Sequence, residues 1–318
     1  MTQHAGHEHK HDHDHDHHGH GHSHAGHSHG PASYDRAFAV GISLNLGFVI
    51  AELIYGFAAG SLALIADAGH NFSDVIGLLA AWFAAALAKR PASPRHSYGY
   101  GRTTILASLS NAVILLVGMG AMAWEAVSRL ATPHPVEETT VMWVAAIGIL
   151  INAGTAAMFL AGRKGDINIR GAFLHMMSDA LVSLGVVISA LIMLKTGWQW
   201  LDPAVSLAIA ALITIGTWGL LRESLAMAMD AVPAHIDRDG VEAYLKGLEG
   251  VTAVHDLHIW PLSTTSVSLT AHLVKPDAVM DDGFLIGVAD HLKKSFGIGH
   301  VTLQVEQADT DCRLRTAH

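Results

Sequence analysis

His70 and Asp74 stand four residues apart, and so do His175 and Asp179. A four-residue step puts two side chains one turn apart on the same face of a helix. Each segment can therefore present an imidazole and a carboxylate in one direction. Both pairs lie in apolar surroundings, SLALIADAGHNFSD running into VIGLLAAWFAAALA, and GAFLHMMSDALVSLG within a second apolar run. A charged side chain near the centre of a bilayer costs roughly 2.5–3.5 kcal/mol, so two such faces need compensation. A divalent cation between them supplies it: its charge cancels two ionised aspartates, and two neutral imidazoles complete a four-coordinate shell. Nitrogen and oxygen donors in a tetrahedral arrangement suit Zn2+, with Co2+ and Cd2+ as competitors. The lack of thiolates disfavours Cu+, and two imidazoles disfavour the oxygen shell of Mg2+. Glu52 and Asp67 are further acids in apolar segments, for which helix–helix hydrogen bonding is an equal reading.

Helices that cross a membrane must position these faces. The 318 residues are 51% hydrophobic and 15% charged, too apolar for a soluble protein. Six apolar runs, at residues 38–59, 62–88, 105–124, 141–162, 171–194 and 203–221, are each long enough to span roughly 30 Å of hydrocarbon as a helix. So many runs of this length argue against the buried helices of a soluble enzyme. Counted from the ends of these spans, the two pairs differ in depth by about ten residues, or roughly 15 Å at helical rise. They become level if the bilayer part of the second span ends near Trp82 and the fifth begins near Ile167.

Charge gives the orientation. Lys89, Arg90, Arg95 and Arg102 follow the second span, Arg163, Lys164 and Arg170 the fourth, and Arg222 the sixth; the other side has Arg129 and Lys195. An excess of basic residues marks the cytoplasmic side, so both termini are expected there. The net charge of −9 and the membrane-edge placement of the basic residues exclude a nucleic-acid patch. Phosphate-binding glycine loops are absent. The single cysteine, Cys312, excludes an intramolecular disulfide and a cysteine metal cluster.

Thirteen of the 24 histidines fall in the first 30 residues, among aspartate, serine and glycine. Such a segment cannot bury a core and is expected to be disordered over residues 1–33. It is not a secretory signal. Dense imidazoles bind zinc, nickel, cobalt or copper, so metal collection is one reading and a solubilising tail the other. His7-Glu8-His9-Lys10-His11 matches the H-E-x-x-H pattern, but that motif needs a rigid helix that nothing here would hold. Beyond the membrane spans at 34–230, residues 236–248 have helical spacing, 254–260 and 266–274 alternate like strands, 281–296 are helical and 301–306 alternate again. That order, αββαβ, predicts a small α+β domain over 231–309, followed by a tail at 310–318.

At these residues the sequence resembles the cation diffusion facilitator family, especially its bacterial zinc/cobalt/cadmium efflux members. SLALIADAGHNFSD and LHMMSDALVSLGV are similar to its second- and fifth-span signatures, RHSYGYGR to the loop between spans two and three, and VHDLHIW, TAHL and HVTLQVEQ to its cytoplasmic motifs. The resemblance implies six transmembrane helices, a metallochaperone-like cytoplasmic domain, a homodimer, and export of Zn2+ from the cytosol in exchange for protons across the bacterial inner membrane. It places the transport site on His70, Asp74, His175 and Asp179, and a regulatory site on His255, His272, His300 and Glu306. Family members with aspartate in place of the second-span histidine are often broader in metal choice, so His70 leans towards zinc. Where relatives with a loop site have an aspartate and two histidines, this chain keeps His96 but has Ser93 and Tyr100. Gln304 stands where some members have histidine.

The expected function is thus a proton-coupled divalent-metal exporter and not an enzyme. A metalloenzyme would need three protein ligands, an open position for water and a separate general base. A membrane-bound metal sensor or buffer that moves no ions is the other alternative.

Overall fold

The structure, a computed structural model, describes residues 32–132, 134–160, 167–276 and 282–307. Nearly all of the histidine-rich segment, Arg163, Lys164, the helix start at Asp281, Cys312 and the 310–318 tail lie outside the described residues. Six long helices come first: α1 (Ala32–Ala59), α2 (Leu62–Ala88), α3 (Arg102–Ala131), α4 (Glu138–Phe159), α5 (Ile167–Thr196) and α6 (Leu201–Ala228). α2 to α6 are each long and apolar enough to cross a membrane, and α1 contributes a shorter apolar stretch, Ser43–Ala59. These helices overrun the apolar runs read from the sequence. α3, for example, begins at Arg102 and ends at Ala131, where hydropathy marks 105–124. Hydropathy reports contact with hydrocarbon, whereas a helix continues into the interface for as long as its backbone bonds are made.

α4 packs along α5, α3 along α6 and α2, and α1 against α2 and α4. Small residues let these backbones approach closely, as in membrane bundles generally. Ala63, Ala66, Ala145 and Ala190 are buried together with Leu64, Val186 and Met193. Gly148 is one such contact: a Cβ there would lie 2.7 Å from the Phe48 ring. Outside this core, large apolar side chains such as Leu78, Trp82, Ile114 and Ile215 are exposed, as a lipid-facing surface requires.

One end of the bundle is tied together by polar groups. Gly60, at φ +69, turns α1 into α2. Ser61 then caps α2, accepting from the Leu64 N–H at 3.2 Å. Asp202, at the start of α6, accepts from Ser61 Oγ at 2.5 Å and from the Leu62 N–H at 2.8 Å. Arg129 donates to the Gly60 carbonyl at 2.7 Å and pairs with Glu125.

The opposite end carries the small domain: α7 (Arg238–Lys246), β1 (Ala253–Pro261), β2 (Val267–Val274), α8 (Asp282–Phe296) and β3 (His300–Glu306). The αββαβ order matches the expectation. β2 is central, antiparallel to β1 and parallel to β3. Leu269, Ala271 and Leu273 of β2 pack with Val241 and Leu245 of α7 and Val288 and Leu292 of α8. By strand alternation, Thr270, His272, Gln304 and Glu306 take the other face. Arg102 of α3 pairs with Asp230 after α6 at 2.5 Å. The Thr264 N–H, in the β1–β2 turn, donates to Thr104 Oγ1 at 3.1 Å, seating the small domain on the start of α3.

Candidate metal centres

α2 and α5 run in opposite directions, so the His–Asp pair of each can meet the other at one level. The Asp74 carboxylate is the hinge of the arrangement. Its Oδ2 lies 3.6 Å from His70 Nε2 on its own helix and 3.4 Å from His175 Nε2 across the gap. His175 Nε2 is also 3.6 Å from Asp179 Oδ2. The two imidazoles stand edge to face with centroids 6.2 Å apart.

These separations are long for a hydrogen bond, whose usual N···O length is about 2.9–3.0 Å. They fit donor atoms around a common ion: a tetrahedral zinc shell with bonds of about 2.0–2.1 Å sets neighbouring donors about 3.3 Å apart. The shell is not fully drawn in, because among the described residues the trio with ligand atoms all within 4.8 Å of one another lies elsewhere, in the small domain.

Burial is graded across the four. The side chains of His175 and Asp74 are 42% and 26% exposed, whereas that of Asp179 is 4% exposed. Towards the tied end, the space between α2 and α5 is closed by Ala63, Ala66, Val186 and Ala190. Behind the tetrad, Asp67 accepts from Ser183 Oγ at 3.1 Å and from Asn71 Nδ2 at 3.4 Å. Sequence reasoning missed Ser183 and Asn71, although each continues a four-residue face, Ser183 after Asp179 and Asn71 after Asp67.

In the small domain, His255, His272 and Glu306 form that compact trio. Strand register brings them together: His255 is opposite His272, and Glu306 pairs with Val274 on the neighbouring strand. His272 Nδ1 is 3.1 Å from Glu306 Oε1, and His255 Nε2 is 3.5 Å from Glu306 Oε2. Both ring nitrogens of His255 and Oε2 of Glu306 are buried without a hydrogen-bond partner. Buried polar atoms are normally paired, so the donor set fits a divalent ion.

Asp256 is a residue that sequence reasoning passed over. It stands at φ +52 in a β-bulge between His255 and His258, which turns its carboxylate onto the same face. Oδ1 lies 2.9 Å from His258 Nε2 and Oδ2 3.4 Å from His272 Nε2. A carboxylate behind a ligating imidazole fixes its tautomer and orientation, and Asp256 holds that position relative to His272. The visible signal was His-Asp-x-His in VHDLHIW.

His300 does not join the trio, contrary to expectation. It opens β3 and pairs with Ser268, four residues along β2 from His272, which is roughly 13 Å at strand rise. Its ring instead meets Tyr98 edge to face at 5.6 Å. Gln304 sits opposite His272 and donates to Glu306 Oε1 at 3.0 Å. In the α2–α3 loop, Ser93 and His96 exchange backbone hydrogen bonds and the His96 ring lies over Tyr100 at 4.7 Å.

Residues 38–228 match the cation efflux transmembrane domain, and residues 233–308 match the cytoplasmic domain of cation efflux proteins. The chain is 38% identical over 279 residues to the cation efflux system protein CzcD of Alcaligenes sp. (strain CT14), covering 87% of this chain and 88% of the relative. It is 34% identical over 285 residues to a cadmium, cobalt and zinc/H(+)-K(+) antiporter of Bacillus velezensis, covering 88% and 91%. With the zinc transporter ZitB of Escherichia coli K12 it shares 34% identity over 293 residues, covering 90% and 93%. The metal-bound C-terminal domain of the CzcD transporter from Cuprividus metallidurans is 39% identical and aligns with 22% of this chain and 99% of its own, at a TM-score of 0.21. Two adjoining family matches cover most of the chain, relatives of 34–38% identity align over most of their own length, and the chain belongs to the cation diffusion facilitator family of metal efflux transporters.

Proposed function

We propose that the protein exports a divalent metal, zinc foremost, from the cytosol in exchange for protons, and that His70, Asp74, His175 and Asp179 are the transport ligands. The observation that carries this is Asp74 Oδ2, placed 3.6 and 3.4 Å from imidazoles on two different helices at ligand spacing. The names of relatives support metal efflux, with zinc, cadmium and cobalt among the ions named.

The cargo ion enters from the side of the small domain, where His175 and Asp74 are exposed. Binding requires neutral imidazoles and ionised carboxylates, so it releases protons. The apolar layer around Ala66 and Val186 keeps the ion from the other side until the helices rearrange, as alternating access demands. On that far side, protons returning to the ligands weaken coordination and the ion leaves. Both termini are then cytoplasmic, the bilayer is a bacterial inner membrane, and the chain divides at residues 34, 231 and 310 into tail, transport domain, cytoplasmic domain and second tail.

The small domain is the regulatory part of this reading. An ion on His255, His272 and Glu306, with Asp256 behind His272, rigidifies the polar sheet face and draws the two copies of a homodimer together. In reconstituted liposomes, the protein accumulates metal when a pH gradient is imposed, and His70→Ala or Asp179→Ala abolishes this flux while the variants remain folded. A sensor or buffer would bind metal with no flux in any variant, and that result would end the transport reading.

A further inference from the structure

Two acids lie one turn beyond the tetrad on the side away from the small domain. α2 runs towards the small domain, so Asp67 precedes His70 on the far side; α5 runs away from it, so Ser183 follows Asp179 to the same level. Asp67 is 2% exposed and accepts from Ser183 Oγ and Asn71 Nδ2. Glu52, from α1, is fully buried, and neither of its carboxyl oxygens meets a donor. Glu52 precedes the Gly60 turn by eight residues and Asp67 follows it by seven, so the packed helices α1 and α2 bring the two buried carboxyls to one level.

No cation balances these acids among the described residues. Arg129 is engaged at the tied end by Glu125 and the Gly60 carbonyl. α4 has a single ionisable residue, Glu138 in its first turn. α6 has Asp202 at its start and Arg222 and Glu223 towards its other end. Two carboxyls at one level, away from water and with no donor to Glu52, repel when both are ionised and bond when they share a proton. A fully buried acid with no partner inside a membrane bundle marks a functional group.

We propose that Glu52 and Asp67 form a proton-carrying carboxyl pair, separate from the metal ligands, that releases and regains one counter-proton of metal export in addition to those exchanged at the ligands. The proposal rests on the metal–proton exchange described above. A divalent ion arriving on the tetrad one turn away favours the ionised pair and drives its proton off. Departure of the ion lets the pair take a proton again. The pair lies between the tetrad and the side from which returning protons come, which separates the proton's route from the ion's entry.

The test uses the full chain. Protons released per zinc ion bound are read with a pH-sensitive dye in weakly buffered detergent solution; radioactive zinc–zinc exchange and pH-driven accumulation are read in proteoliposomes. For Glu52→Gln and Asp67→Asn, zinc affinity is expected to stay within about threefold and exchange to persist, while release falls by about one proton per ion and pH-driven accumulation drops at least about tenfold. Glu52→Asp, which keeps the carboxyl, restores part of the coupling. Unchanged proton release in both variants would overturn the proposal, as would loss of zinc binding together with coupling. Wild-type accumulation that follows a K+ gradient at constant pH would overturn the choice of proton as ligand. Wild type with no pH-driven accumulation sinks the exchange reading itself, whereas a coupled wild type with an unaffected Glu52→Gln sinks the pair alone.

Discussion

At the residue scale, donor chemistry decides which ions the chain handles. His70 supplies one of two nitrogens in a set otherwise made of carboxylate oxygens, and its Nδ1 is buried without a partner. Replacing it with aspartate adds a third negative charge and a carboxylate able to bind through two oxygens, which permits the higher coordination number a larger ion takes. His70→Asp is therefore expected to lower the preference for zinc over cadmium by about tenfold, measured by competitive uptake in proteoliposomes. Asp256 acts one step back from its ion, through His272. Asp256→Asn keeps the shape and loses the charge that holds the imidazole, and metal affinity of the small domain should fall by about 10–100-fold in calorimetry.

At the scale of elements, the position of α2 matters as much as its sequence. α2 carries His70 and Asp74, and its first turn is held by Asp202 of α6 through Ser61 Oγ and the Leu62 and Ala63 N–H groups. The carboxylate also complements the positive end of the α2 dipole. Asp202→Ala removes that acceptor inside a fully buried site and leaves the donors unsatisfied. The expected loss is about 2–3 kcal/mol, seen as a lower thermal midpoint in detergent, with Asp202→Asn milder because it keeps an acceptor oxygen.

At the scale of the whole molecule, two modules meet through few contacts. The Arg102–Asp230 pair is about half exposed on both sides, and such pairs contribute about 0–1 kcal/mol. The tighter constraint is steric. A Cβ on Gly101 would lie 2.7 Å from the Leu262 carbonyl oxygen and 3.4 Å from the Ser263 Cβ. Backbone cannot swing aside as a side chain can, so Gly101→Ala must push the small domain off the start of α3. Faster proteolysis between α6 and α7, with the secondary structure of both modules retained, is the expected result; an unchanged cleavage rate would show that the contact is not required.

The sequence alone determined the membrane class, the αββαβ order and the pairing of His70 with Asp74 and His175 with Asp179. Hydropathy, strand alternation and the helical repeat are local properties, and these features depend on nothing else. Local spacing could not show that Asp74 would sit between both imidazoles, because that depends on how α2 and α5 are packed by the alanines and Gly148 around them. His300 shares a motif with Glu306 in sequence, yet strand register sets it opposite Ser268 and away from the trio. Asp256 entered through a bulge that no alternating pattern predicts. Glu52, one acid in an apolar run, came level with Asp67 only through the packing of α1 on α2. Tertiary structure decides such partnerships, since burial and register join residues far apart in the chain.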